Sequence, residues 1–367
     1  MLPLNRQHTE SRFSAIALVQ ALKIGAFEQL TFALSAFGIS IFSLSTGALP
    51  AIAVAPTSLS PTLLQSTAET IPASQAEAYR ADQLADQGVR AFTDGDQFAA
   101  FDYWQEAQLL YRIAGLPLKE ARMLENLSVV YRLTDRPAEA INMSQQALNI
   151  YQDLGVEDDQ PSAYLNLGSA YRLSGYLAEA IATYETSLSL YQQTSDTTGE
   201  RIILSLLADT YAEANDYPQS IVFQNQVLGI ARRTGKKQVE AESLSELGYA
   251  HFVLESYDES VEYFQTALPL FQQLSDRAQE VAVLNNMGRA AALGQDINTA
   301  LTAYEQALVI FRELERPVQE AHLLVNMGQA YLSSDQTEQA INAFEQVVEL
   351  SETIRQQTND TLAPRLE

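Results

Sequence analysis

The chain has 367 residues, 47% of them hydrophobic, with 22 Lys and Arg against 46 Asp and Glu and a formal charge of -24. That apolar content excludes a disordered chain, and the acidity argues against nucleic acid or anionic lipid as a partner, because nothing would neutralise a phosphate backbone. Cysteine is absent and only His8, His251 and His322 are present, which excludes a disulfide framework, a thiolate nucleophile and a Cys- or His-rich metal site, so no cofactor is expected.

The first element is a hydrophobic leader helix. No charged residue occurs from Gln29 to Ala68, and Phe32 to Ala55 is apolar enough and long enough for a bilayer. Arg6, Arg12 and Lys23 precede it, against Glu10 and Glu28. Ala51-Ile52-Ala53 and Ala53-Val54-Ala55 follow the small-x-small pattern of a signal-peptidase exit. Two expectations follow: residues 1–53 are a cleaved signal peptide, or residues 30–55 remain as an N-terminal membrane anchor. Both carry the rest of the chain across an inner or thylakoid membrane, into a periplasm or lumen. Residues 54–80, with Pro56, Pro61, Pro72 and many Ser and Thr, are expected to be a flexible linker.

A repeat of forty residues begins at Ala81. The small residues Gly88, Ser128, Gly168, Ala208, Gly248, Gly288 and Gly328 recur without a slip. Apolar residues stand four before them, from Leu84 to Leu324. Ala100, Ala140, Ala180, Ser220, Ser260, Ala300 and Ala340 stand twelve after. Inside one unit Tyr164, Leu167 and Tyr171 keep helical spacing. Ser174-Gly175 then marks a turn, and Ala180, Tyr184, Leu188 and Tyr191 mark a second helix. One such hairpin cannot bury both of its faces, so each must stack on its neighbours. Seven units are expected, at 81–120, 121–160, 161–200, 201–240, 241–280, 281–320 and 321–357, with a polar tail at 358–367. Gln224 and Val227 suggest looser packing in the fourth unit, His251 is expected in the core with one hydrogen bond, and Val347, Val348 and Ile354 are expected to be partly exposed.

This pattern resembles the tetratricopeptide repeat over residues 81 to about 357. It is similar to arrays in spindle-orientation adaptors, peptide-sensing bacterial regulators and exported cyanobacterial repeat proteins, including those that end in a CHAT protease-like domain. The resemblance implies an all-α fold, a right-handed superhelical solenoid of seven helix-turn-helix units whose first helices line a groove. No CHAT domain follows the repeats in this sequence, and none of the Gly-rich phosphate loop, H-E-x-x-H or G-x-S-x-G motifs occurs. The chain is therefore expected not to be an enzyme.

Candidate binding residues lie on the first helices. Two positions before the small residue stand Asn126, Asn166, Asn286 and Asn326, each able to donate and accept at once and so to pair with a peptide unit. This resembles the asparagine ladder of the O-GlcNAc transferase superhelix; the alternative is that these residues bridge neighbouring helices. Arg122, Arg132 and Arg172 form a basic spot, Asp209, Glu213, Glu242 and Glu246 an acidic one, and Arg289 restores positive charge. The partner expected is a protein or extended peptide of mixed charge, and the function that of a scaffold or adaptor. The alternatives are an assembly factor for membrane complexes, photosynthetic ones included, and a regulatory subunit of an enzyme encoded elsewhere.

Overall fold

The computed structural model describes residues 73–362. The leader expected at 1–53, the first part of the linker and the last five residues of the tail lie outside the described residues. Fourteen α-helices and no strand are found among the described residues. They run α1 (Ala73–Thr93), α2 (Gln97–Ile113), α3 (Pro117–Leu133), α4 (Pro137–Leu154), α5 (Gln160–Leu173), α6 (Leu177–Gln193), α7 (Thr197–Glu213), α8 (Tyr217–Thr234), α9 (Lys237–Val253), α10 (Tyr257–Leu274), α11 (Arg277–Leu293), α12 (Ile297–Glu313), α13 (Pro317–Ser333) and α14 (Thr337–Leu362). None of these helices is long and apolar enough to cross a membrane. Two boundaries differ from expectation. The helix α1 begins at Ala73, inside the expected linker, because Ala73-Ser-Gln-Ala-Glu-Ala-Tyr-Arg80 consists mostly of good helix formers placed just after Pro72. At the other end α14 continues to Leu362, into the expected tail.

The forty-residue period divides into two equal halves. A left-handed residue recurs every twenty positions: Gly95, Gly115, Asp135, Gly155, Gly175, Ser195 and onward to Glu315 and Asp335. The amide after each donates to a carbonyl five residues back, as Tyr176 does to Tyr171 at 3.0 Å and Asp216 to Tyr211 at 2.8 Å. This is the Schellman closure, which satisfies carbonyls at a helix end and reverses the chain. Where the next residue is Asp, its carboxylate caps the following helix. Asp96 accepts from the Ala99 amide at 2.9 Å, and Asp196, Asp216, Asp276 and Asp296 do likewise. Stop and start are thus written into three consecutive residues.

The described residues fall into two compact units, one ending at Ile230 and one beginning at Ala231. In the first, the core is a series of clusters, each shared by a hairpin and the helix that follows. Ala100, Trp104 and Ala107 of α2 pack with Met123 and Leu127 of α3; Leu148 and Tyr151 of α4 pack with Ala163 and Leu167 of α5; Ala180 and Tyr184 of α6 pack with Ile203 and Leu207 of α7. First helices also touch each other, α3 against α5 and α5 against α7, whereas α4 and α6 make no comparable contact. The first helices therefore form the tighter, inner row. The second unit repeats the scheme, with α9 against α11 and α11 against α13.

The small residues mark where the two helices of a hairpin cross. A Cβ on Gly168 would lie 2.6 Å from Tyr184 Cε1, and one on Gly88, Gly248, Gly288 or Gly328 would strike Trp104, Phe264, Tyr304 or Phe344. Each aromatic stands sixteen residues after its glycine. The two units without glycine compensate: Ser128 faces Ser144, their hydroxyls 2.7 Å apart, and Ala208 faces no aromatic, because Gln224 takes that place. The fourth unit is not loose at this point, for Val227 and Gln224 are both buried. Val347 is buried as well, while Val348 and Ile354 are half-buried as expected. His251 stacks on Tyr263 at 5.2 Å, and its Nδ1 has no partner.

Candidate functional site

The inner row of the first unit carries a buried polar cluster that an apolar repeat core does not need. Its centre is Glu125 on α3, which is fully enclosed. The Tyr151 hydroxyl of α4 donates to Oε2 at 2.5 Å; on α5, Ser162 Oγ and Asn166 Nδ2 donate to Oε1 at 2.8 and 3.4 Å. Burial pushes the Glu125 carboxyl up to about 7, against the opposing pull of these three donors. In front of it Arg122 makes a two-point ion pair with Asp159, at 3.2 and 3.3 Å.

The residues of the neighbouring repeat decide which of the candidate asparagines have partners. Asn166 is buried and bridges backwards, donating to Glu125 and accepting from Arg132 Nη2 at 3.5 Å. In the second unit, Asn326 on α13 donates to Asn285 Oδ1 on α11 at 3.4 Å, and Asn286 is half-buried on α11. Asn126 differs. Only 1% of it is exposed, yet neither its Nδ2 nor its Oδ1 has a partner. The residue forty positions before Arg132, which in the next repeat serves Asn166, is Phe92 and offers nothing polar. An enclosed carboxamide with both ends unsatisfied costs roughly 1–3 kcal/mol for each lost partner.

The four candidate arginines separate in the same way. Arg122 is committed to Asp159. Arg172 is committed to α7: its Nη2 lies 2.6 Å from Glu213 Oε1 and its Nη1 3.9 Å from Asp209 Oδ2. Asp209 and Glu213 are therefore not a free acidic stretch for a ligand, as the mixed-charge expectation had them; they neutralise an arginine from the preceding repeat. Arg289, in the second unit, is exposed and lies over the Phe252 ring at 4.9 Å. Arg132 is nine-tenths buried, its Nε has no partner, and among the described residues no carboxylate comes within ion-pair distance of it. Sequence reasoning missed Glu125, Tyr151 and Ser162, although a Glu between two apolar positions on the inner row was the available signal.

Sequence models of the tetratricopeptide repeat match residues 121–154, 159–233, 239–313 and 293–353. No curated protein sequence gives a significant match. Among solved structures, the apo form of RapI superimposes with a TM-score of 0.55 at 12% identity, over 75% of this chain and 99% of that one. A signal-transduction ATPase with a tetratricopeptide repeat sensor from Pyrococcus horikoshii gives 0.59 at 14%, over 81% of this chain and 50% of that one. Aspartyl phosphate phosphatase F from Bacillus subtilis gives 0.51 at 11%, over 76% and 72%. At these identities the likeness is one of fold. The matched repeats span more than half of the sequence and coincide with the observed hairpins: the chain belongs to the tetratricopeptide repeat family.

Proposed function

We propose that the protein is a non-catalytic scaffold whose inner row, in the unit ending at Ile230, holds an extended segment of a partner protein through its backbone. The observation that carries this is the row of first helices, α3 against α5 and α5 against α7, along which Asn126 and Asn166 stand one repeat apart in a chain of tetratricopeptide repeats. A peptide unit offers the complementary pair, one C=O and one N–H, whatever its side chains. The non-catalytic part is supported by Glu125. It is the carboxyl pushed furthest toward neutral pH among the described residues, the usual mark of an acid–base catalyst, but it is walled in by Tyr151, Ser162 and Asn166 and touches no open surface. We extend the proposal to location: the apolar stretch at 32–55 and its Ala-x-Ala exits support export or tethering at a membrane.

A photo-reactive amino acid tests the binding face. Placed at Leu133, exposed at the end of α3, it should cross-link a partner in the native cell. At Gln145, exposed on α4 in the outer row, it should not. Cross-links from Gln145 and none from Leu133 would move the binding surface to the outer helices. A captured enzyme whose activity changes on binding would favour the regulatory-subunit alternative over a passive scaffold.

A further inference from the structure

The second and third repeats are joined differently from their neighbours. Their connection, residues 155–159, has five residues, where those from α3 to α4, α5 to α6 and α6 to α7 have three each. The helix after it, α5, has 14 residues against 17 in α3 and in α7. Across this junction Glu125 reaches from α3 to α5, fully enclosed. Among the described residues no cation lies within ion-pair distance of it, Arg122 being bound to Asp159. The charged and titratable groups that face it are Arg122 on its own helix, Tyr151 on α4 and Asp159 at the head of α5. Arg132 stands beyond Asn166, and Tyr191 on α6 lies farther off.

The hydrogen bonds around this carboxyl can serve either of its charge states. As a carboxylate it accepts from Tyr151, Ser162 and Asn166. As a neutral acid it has one proton to donate, and Ser162 Oγ can receive it. The Ser162 hydroxyl then gives its own hydrogen to the Asp159 carbonyl, 2.9 Å away. The neutral state strands no donor and encloses no charge. The charged state encloses an anion beside a second carboxylate, that of Asp159. Water reaches that anion when α5 moves off α3, and the longer connection supplies the slack for such a local opening.

We propose that Glu125 operates a hinge between the second and third repeats, closed while its carboxyl is protonated and opened by loss of that proton to water. Asn126 and Asn166 stand on either side, so the hinge sets their spacing; its working does not depend on what they bind. The direction follows from linkage. Closed repeats hold the proton to about pH 7, and opened, solvated ones to about pH 4.3. Closure is therefore strongest below about pH 4.3 and weakens as pH rises to about 7, where the opening constant has grown by up to a few hundredfold.

The chain has no cysteine, so paired spin labels can be placed in the full protein without removing one. Labels on Gln145→Cys and Glu185→Cys, both exposed on the outer row, span the hinge. Labels on Glu185→Cys and Asn225→Cys span the next junction and serve as the control. Between about pH 5 and pH 8.5 the distance distribution of the first pair, read by double electron–electron resonance, should shift or broaden, with the control pair unchanged. Glu125→Gln reproduces the shape of the neutral acid and should hold the low-pH distribution throughout. Tyr151→Phe removes a donor that favours the carboxylate and should move the midpoint up by about half to one pH unit; this readout decides if Glu125→Gln does not fold. A distribution that ignores pH, an equal response in both label pairs, a response that persists in Glu125→Gln, or a midpoint unmoved in Tyr151→Phe would each overturn the hinge. Partner binding enters none of these readings, so their failure leaves the scaffold proposal standing.

Discussion

Replacing Gly168 by Ser, alone and together with Tyr184→Ser, tests the crossing that sets the repeat register. In the native chain a Cβ at 168 would sit 2.6 and 2.7 Å from two atoms of the Tyr184 ring. That ring is fully buried and anchored through its hydroxyl to Ser169, so it cannot swing aside. Gly168→Ser should therefore cost roughly 1–3 kcal/mol by overpacking. Tyr184→Ser alone leaves a void under a bare glycine and should cost roughly 3–5 kcal/mol. The pair together rebuilds what the chain already uses one repeat earlier, where Ser128 and Ser144 share a hydrogen bond. In the Tyr184→Ser background the serine at 168 should be neutral or stabilising, because a helical glycine itself costs roughly 0.5–1 kcal/mol. Urea unfolding followed by far-UV circular dichroism gives the four stabilities. Additive costs, with no coupling between positions 168 and 184, would refute the crossing.

Further outcomes follow from the buried cluster, the turns and the leader. Glu125 holds its proton to about pH 7 in the folded chain and to about pH 4.3 when unfolded, so its contribution falls as pH rises between those values, by roughly 3–4 kcal/mol in all. Glu125→Gln should flatten that part of the stability–pH curve measured by urea midpoints, and an unchanged slope would place the titration elsewhere. Glu255 and Glu315 sit at φ of 59° and 52°, where a side chain is strained, so Glu315→Gly should stabilise by about 0.5–1 kcal/mol; a loss of stability would contradict the turn geometry. A reporter fused after Gln75 should be found outside the cytoplasm, with a mature terminus at Val54 if the leader is cleaved. Full-length soluble cytoplasmic protein would refute both forms of the export proposal.

The architecture was readable because its determinants are local and recur. A small residue every forty positions and a turn after each helix need no knowledge of distant contacts, and the Gly168–Tyr184 crossing joins two residues of one hairpin. The site was readable only as a set of residue types. Whether an arginine is free depends on residues 37 to 41 positions away: Asp159 for Arg122, and Asp209 and Glu213 for Arg172. Those pairings form only when first helices lie side by side. Separation in sequence also hid the cluster around Glu125, whose partners Tyr151 and Ser162 lie 26 and 37 residues away on two other helices. The start of α1 was hidden for a different reason, since Pro72 and the Ser and Thr residues before it carry loop chemistry right up to the helix-forming stretch that follows.

The most direct measurement of the central claim compares Asn126→Ala with Asn166→Ala in both partner affinity and thermal stability. Asn166 is held by Glu125 and Arg132, so its loss should lower the melting temperature. Asn126 has no partner to lose, so its replacement should leave folding intact and weaken partner binding by about 3- to 10-fold, the worth of one hydrogen bond or slightly more. Unchanged affinity in Asn126→Ala, with folding intact, would contradict the account.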